Sequence, residues 1–123
     1  MDTSGNTVLI TGGSSGIGLA AAELLVSEGN DVLICGRSAA KLAAARERVP
    51  ALRTFVCDLA HREERQRLVE WVMATAPSVN ILINNAGVQR ETDFTTGADA
   101  LWDDESEIDI NLKASVELAA AFV

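Results

Sequence analysis

The chain has 123 residues, the size of one domain, and is 48% hydrophobic and 23% charged, the balance of a soluble globular protein. Its formal net charge of -8 argues against nucleic acid or an anionic lipid surface as a general partner, because both repel an acidic protein. No apolar run nears the ~20 residues that span a bilayer. The opening Met1-Asp2-Thr3-Ser4-Gly5-Asn6 lacks the basic and apolar regions of a secretory signal, so a cytoplasmic location is expected.

Thr7-Val8-Leu9-Ile10 is a short apolar run, suited to a parallel strand covered on both faces. A glycine-rich turn follows and opens a helix, in which Ile17, Ala21, Leu24 and Leu25 fall on one face at helical spacing. Gly29 stands where a left-handed cap is wanted. Asp31 to Cys35 reads as the second strand. Ser38 can cap the next helix through its hydroxyl. That helix buries Leu42, Ala45 and Val49, and Pro50 ends it. Thr54 to Cys57 is the third strand. A helix within 58–76 follows, charged at Arg62, Glu63, Arg67 and Glu70 and apolar at Leu68, Val69 and Val72. Ile81-Leu82-Ile83 is the core of the fourth strand. The stretch from Val88 to Asp104 reads as a loop. Its acidic end, Asp99, Asp103, Asp104 and Glu105, suits the N-terminus of a last helix from about Ser106 better than a metal site.

The order βαβαβαβα implies an α/β fold: a Rossmann-like, doubly wound parallel sheet with right-handed crossovers. Its first four strands are expected in spatial order 3-2-1-4. Cys35 and Cys57 read as buried free thiols. The single histidine, His61, has no obvious partner, and no metal-ligand spacing is seen.

The segment that carries chemistry is Thr11-Gly12-Gly13-Ser14-Ser15-Gly16-Ile17-Gly18, between a strand and a helix. A pyrophosphate must approach the helix N-terminus, where unpaired N–H groups and the helix dipole favour anions. Side chains would block that approach. Gly12 lets the chain turn, Gly16 lets it come close, and Gly18 lets the helix pack on the strand. A dinucleotide site is therefore expected around Gly12, Ser14, Ser15, Gly16, Ile17 and Gly18.

The glycines read G-x-x-x-G-x-G and not the Rossmann G-x-G-x-x-G. This spacing resembles the cofactor loop of the short-chain dehydrogenase/reductase family. Three further motifs, in the right order, extend the resemblance over the whole chain: Asp58-Leu59 after strand three, Asn84-Asn85-Ala86-Gly87 after strand four, and Asn111 in Ile110-Asn111-Leu112. The resemblance implies a nicotinamide dinucleotide cofactor and a carbonyl or alcohol substrate. It implies that Asp58 meets the adenine amino group, that Asn85, Ala86 and Gly87 border the ribose, and that Asn111 belongs to the catalytic set. From the residues alone, Asp58 also suits an N-cap, and Asn84 a tie between neighbouring backbone segments. The stretch from Gly87 to Asn111 resembles a subgroup labelled DltE-like oxidoreductases.

An NAD site usually offers an acid to the ribose 2′-hydroxyl about 20 residues past the loop. Arg37 stands there, followed by Ser38. Arg37 can fork onto a 2′-phosphate, and Ser38 adds a hydroxyl at a helix N-terminus. NADP is thus expected ahead of NAD, a solvated surface arginine being the alternative.

The family's chemistry also needs a serine on the next strand and a Tyr-x-x-x-Lys on the next helix. The chain contains no tyrosine. Lys41 and Lys113 lie on the wrong elements. The expectation is that residues 1–123 form one incomplete NAD(P)-binding domain, the front half of an oxidoreductase, inactive alone and prone to self-associate along an uncovered strand four. The apolar, uncapped end Leu118-Ala119-Ala120-Ala121-Phe122-Val123 favours such a fragment. A stand-alone dinucleotide-binding module without chemistry is the competing reading.

Overall fold

The computed structural model describes residues 3–86 and 114–122. Among the described residues eight elements alternate: β1 (Thr7–Thr11), α1 (Gly16–Ser27), β2 (Asp31–Gly36), α2 (Ala39–Arg48), β3 (Arg53–Val56), α3 (Arg62–Thr75), β4 (Ile81–Asn84) and α4 (Ala114–Ala121). All strand pairs are parallel, and the sheet order is β3-β2-β1-β4, as expected from the alternation. The expected loop at Val88–Asp104, the start of the last helix near Ser106, Gly87 and Asn111 lie outside the described residues.

The central strands show why an apolar run folds this way. Val8 and Ile10 of β1, with Val32 and Ile34 of β2, face α1 and α2. Leu9, Leu33 and Cys35 face the opposite way, against Leu68 and Val72 of α3 and Ala114 and Leu118 of α4. Successive side chains alternate between two covered faces, so neither face asks for polar residues. The edge strand β3 is only partly buried. There Phe55 stacks on Trp71 of α3, with ring centroids 5.0 Å apart.

The helix ends follow their local chemistry. Ser38 caps α2, its Oγ accepting from the Lys41 N–H at 3.2 Å. Gly29, at φ 88°, closes the turn after α1. The inward face of α1 differs from the sequence expectation. Ile17 and Leu24 are exposed (83% and 60%), whereas Gly18 and Ala22 are buried. Gly18 is buried because α1 lies close over the β1 turn. Ala21 and Leu25 pack against the core as expected, together with Leu19 and Val26, and only Ile17 and Leu24 of the expected face point away from it. Asp58 does not cap α3 either. The N-cap position is His61, with no side-chain cap, because the Asp58 carboxylate is used earlier, on the Ala60 N–H at 3.0 Å. Leu118, in the apolar last segment, is 1% exposed and belongs to the core between the sheet, α3 and α4.

The two ends of the sheet are built differently. At the amino ends of the strands, asparagine side chains tie the segments together. The Asn30 Oδ1 accepts from the Asn6 backbone N–H at 3.0 Å, and its Nδ2 donates to the Thr3 and Leu25 carbonyls at 2.8 and 2.9 Å. The Asn80 Oδ1 accepts from the Thr7 N–H at 2.9 Å, and its Nδ2 donates to the Asn6 Oδ1 at 2.9 Å. At the carboxyl ends lies an open concavity. The chain steps outward from β1 through β2 to β3, then returns to place β4 on the other side of β1. Ligands of such sheets bind in the crevice beside that reversal.

Candidate functional site

A cavity of roughly 630 Å³ opens at the carboxyl ends of the strands. Each strand end delivers a wall. Gly12, Ser14 and Ser15 come from the turn after β1, and Cys35, Gly36, Arg37 and Ser38 from the end of β2. Cys57, Asp58 and Leu59 follow β3, Asn85 and Ala86 follow β4, and Lys41 reaches in from α2. Of the residues singled out from the sequence, Gly12, Ser14, Ser15, Arg37, Ser38, Asp58, Leu59, Asn85 and Ala86 are thus brought together. Gly16, Ile17 and Gly18 sit beside the cavity, in the first turn of α1, and do not line it.

Two glycines set the shape of the loop. Gly12 takes φ 67°, and a Cβ there would stand 2.9 Å from the Ala86 Cα. A Cβ on Gly18 would meet the Gly12 carbonyl oxygen at 2.4 Å and the Asn85 Nδ2 at 2.5 Å. Gly18 therefore packs α1 against the loop itself, rather than against the strand. At Gly16, the first residue of α1, a Cβ would meet nothing within 4 Å, so open space lies beside the helix N-terminus, where N–H groups lack intrahelical partners.

The β1–β4 side is held by one hydroxyl. Thr11 is buried, and its Oγ accepts from the Asn85 and Ala86 N–H groups at 3.0 Å each while donating to the Ile83 carbonyl at 3.4 Å. The Asn85 side chain donates to the Gly12 carbonyl at 3.1 Å, closing the turn from the other side. Asn84 instead reaches the Ser115 carbonyl of α4 at 3.5 Å, the backbone tie expected of it.

The β3 side is held from α3. The Asp58 N–H donates to the Glu64 Oε1 at 3.1 Å. The Asp58 Oδ2 lies 3.6 Å from the His61 Nε2, so His61 does have a partner, which its isolation in the sequence concealed. Asp58, His61 and Glu64 bring one ligand-type atom each within 4.8 Å of one another. Backbone N–H groups already occupy one oxygen of each carboxylate. The thiols flooring the cavity are both free. Burial, with the Cys57 thiol as a second cause, pushes Cys35 from 9.0 to about 12. Cys57 is likewise pushed up to about 12, by burial first and then by the Glu64 and Asp58 charges. Neither is a thiolate at neutral pH, so neither serves as a nucleophile.

Sequence reasoning missed Lys41 and the two cysteines as lining of this cavity, and it quoted Thr11 and Gly13 within the glycine-rich segment without a role for either. A Cβ on Gly13 would fall 2.4 Å from the Ile34 Cγ2, a clash between turn and neighbouring strand that spacing cannot reveal. Lys41 had a signal, since it stands one helical turn after the cap Ser38 and so shares its side of α2.

Residues 6–123 match the family described as short chain dehydrogenase. The chain belongs to the short-chain dehydrogenase family. Across 122 residues it is 49% identical to an uncharacterized oxidoreductase, DltE, of Bacillus subtilis (strain 168), covering 99% of this chain and 48% of the relative. It is 39% identical over 116 residues to the 3-oxoacyl-[acyl-carrier-protein] reductase FabG of Rickettsia felis, covering 94% of this chain and 46% of that one. A crystal structure of a metagenomic short-chain oxidoreductase in complex with NADP superimposes with a TM-score of 0.85 at 34% identity, over 98% of this chain and 57% of the other. The chain spans about half the length of the curated relatives it matches. Short-chain dehydrogenases are oxidoreductases that bind a nicotinamide cofactor, and the cavity lies where an α/β sheet of this order binds its ligand. Among the described residues no helix is long and apolar enough to cross a membrane.

Proposed function

We propose that residues 1–123 form the cofactor-binding half of an NADP-dependent oxidoreductase. The observation that carries this reading is the convergence of four strand ends on one cavity, with Arg37, Ser38 and Lys41 at one side and Gly12, Ser14 and Ser15, the residues that lead into α1, at the other. The fit to a dinucleotide is steric and chemical. Gly12 lets the turn after β1 lie against Ala86, the space beside Gly16 is open, and the residues around the turn can donate to phosphate oxygens. When bound, the nicotinamide supplies hydride transfer to or from a carbonyl or alcohol substrate.

The chain's own residues bind and orient. Gly12, Ser14, Ser15, Gly16, Ile17 and Gly18 form the pyrophosphate turn, the last three through the backbone and packing of the first turn of α1. Arg37 and Ser38 hold the 2′-phosphate, with Lys41 adding charge. Asp58 and Leu59 border the adenine, and Asn85, Ala86 and Gly87 the ribose. Asn111 takes part at the catalytic end. A cytoplasmic setting suits the free thiols.

Replacement of Arg37 by alanine should weaken NADP binding by roughly ten- to a hundredfold, the scale of a charge-assisted contact, and hardly change NAD. Titrating both cofactors against both proteins tests this, and an equal loss for the two would remove the basis of NADP preference. The 123-residue chain contains no tyrosine to exchange a proton with a carbonyl oxygen, and proton transfer alone typically contributes 10²–10⁴-fold. It should therefore show no turnover by itself with NADPH and a panel of aldehydes and ketones. Oxidation of NADPH that follows the protein through purification would contradict this. Self-association is also expected of the isolated chain. Among the described residues β4 pairs only with β1, and a smaller cavity beside Ile81, Leu82 and Phe122 opens next to it. Sedimentation equilibrium reads it directly.

A further inference from the structure

One buried charge lies outside the site as the sequence defined it. Arg65 sits on the inner face of α3 and is 4% exposed. Its Nη1 donates to the Leu59 carbonyl at 2.7 Å, and its Nε donates to the Glu117 Oε2 of α4, also at 2.7 Å. The preceding residue, Glu64, accepts from the Asp58 N–H, and its own carbonyl accepts from the Cys57 thiol at 3.4 Å. One turn of α3 thus grips three consecutive residues of the cavity wall.

A guanidinium is costly to desolvate, and apolar residues of similar volume often replace buried ion pairs without loss of stability. Leu68 and Val72, further along the same inner face, are apolar. What arginine adds is direction, because its planar fork fixes two acceptors relative to each other. Here the two are the carbonyl beside Asp58 and a carboxylate on α4. We infer that Arg65 is a positioning residue, which sets the Asp58-Leu59 turn for recognition of the adenine amino group and registers that turn against α4.

The inference rests on the reading of Asp58 as the adenine partner, and the test separates the two. The probes are NADPH and its analogue with hypoxanthine in place of adenine, which lacks the amino group. The wild-type chain should prefer NADPH by roughly tenfold or more, as a hydrogen bond to a carboxylate implies. No preference in the wild-type chain would remove the adenine reading, and this inference with it, before any substitution is made. Given that preference, Arg65→Met should bring the ratio towards one while leaving the analogue's affinity within about twofold of wild type. Arg65→Lys, which keeps the charge but not the fork, should restore part of it. Glu117→Gln should lower the ratio from the far side of the contact, and it carries the test together with Arg65→Lys if Arg65→Met does not fold. An unchanged ratio in these variants, or equal loss for both ligands, overturns the inference and leaves Arg65 as packing alone.

Discussion

The two ends of the sheet face the same physical demand and meet it in opposite ways. Both expose backbone N–H and C=O groups where strands and helices stop. At the amino ends, Asn6, Asn30 and Asn80 satisfy these groups with side chains drawn from three separate segments. At the carboxyl ends the turns after the strands leave an open concavity, lined by polar side chains such as Ser14, Ser15, Arg37 and Asp58. Closing one end stabilises the fold, and leaving the other open gives it a place to bind. Alteration of the first should therefore register in stability, and alteration of the second in binding.

The largest effect is expected at the closed end. Asn30→Ala removes an acceptor of the Asn6 N–H and two donated bonds. At about 1 kcal/mol for each, stability should fall by roughly 3 kcal/mol. The dissociation constant for NADPH, measured on the folded fraction, should not move. Urea titration with and without the ligand makes the comparison, and a matching loss of affinity would erase the division of labour. At the open end, Gly18→Ala forces the Gly12 carbonyl and the Asn85 side chain apart. Overpacking of this kind costs about 1–3 kcal/mol, and a displacement of about 1 Å in the loop should cost NADPH affinity about a hundredfold. Isothermal titration calorimetry reads the affinity, and a variant that binds like wild type would show that the close approach is dispensable.

The smallest effect concerns pH. Amides do not titrate, whereas Cys35 and Cys57 lie under the open end with both thiols pushed up to about 12. Above pH 9 the unfolded chain releases thiol protons that the folded chain retains. The stability present below that pH is then lost progressively as pH rises towards 12, by about 1 kcal/mol per thiol at pH 10. Denaturation at pH 8 and pH 10 should show a smaller drop in Cys35→Ala than in the wild type. Equal drops would place the alkaline sensitivity elsewhere.

Much of this architecture could be read from residue order. Alternating strands and helices give the sheet order because crossovers are right-handed and short. The glycine loop, Asp58, Asn85 and Arg37 each lie just past a strand, so a parallel sheet gathers them at one end without further information. What the sequence hid depends on contacts between distant segments. The exposure of Ile17 and Leu24 was hidden, because the close approach of Gly18 to Gly12 sets which face of α1 turns inward, while Leu25 and Ala21 pack on the core as their spacing suggested. Thr11 was only the residue that opens the glycine-rich segment, and its role shows where its hydroxyl meets two N–H groups more than seventy positions away. Arg65 drew no notice among the charges of its helix, because only the fold reveals that its side of α3 faces Leu59 and Glu117.

Arg37 and Lys41 stand at the cavity of a chain whose formal net charge is -8. An anionic dinucleotide is repelled at long range and attracted only once it is near those two side chains. Salt acts unequally on these forces, since the Debye length at 0.1 M is about 10 Å and contact pairs are screened less than distant charges. Moderate ionic strength should therefore raise the association rate by lifting the repulsion. The dissociation rate should rise as well, as the contacts at Arg37 and Lys41 weaken. The affinity would then pass through a shallow optimum in salt, where a basic protein binding the same ligand would show a steady decline.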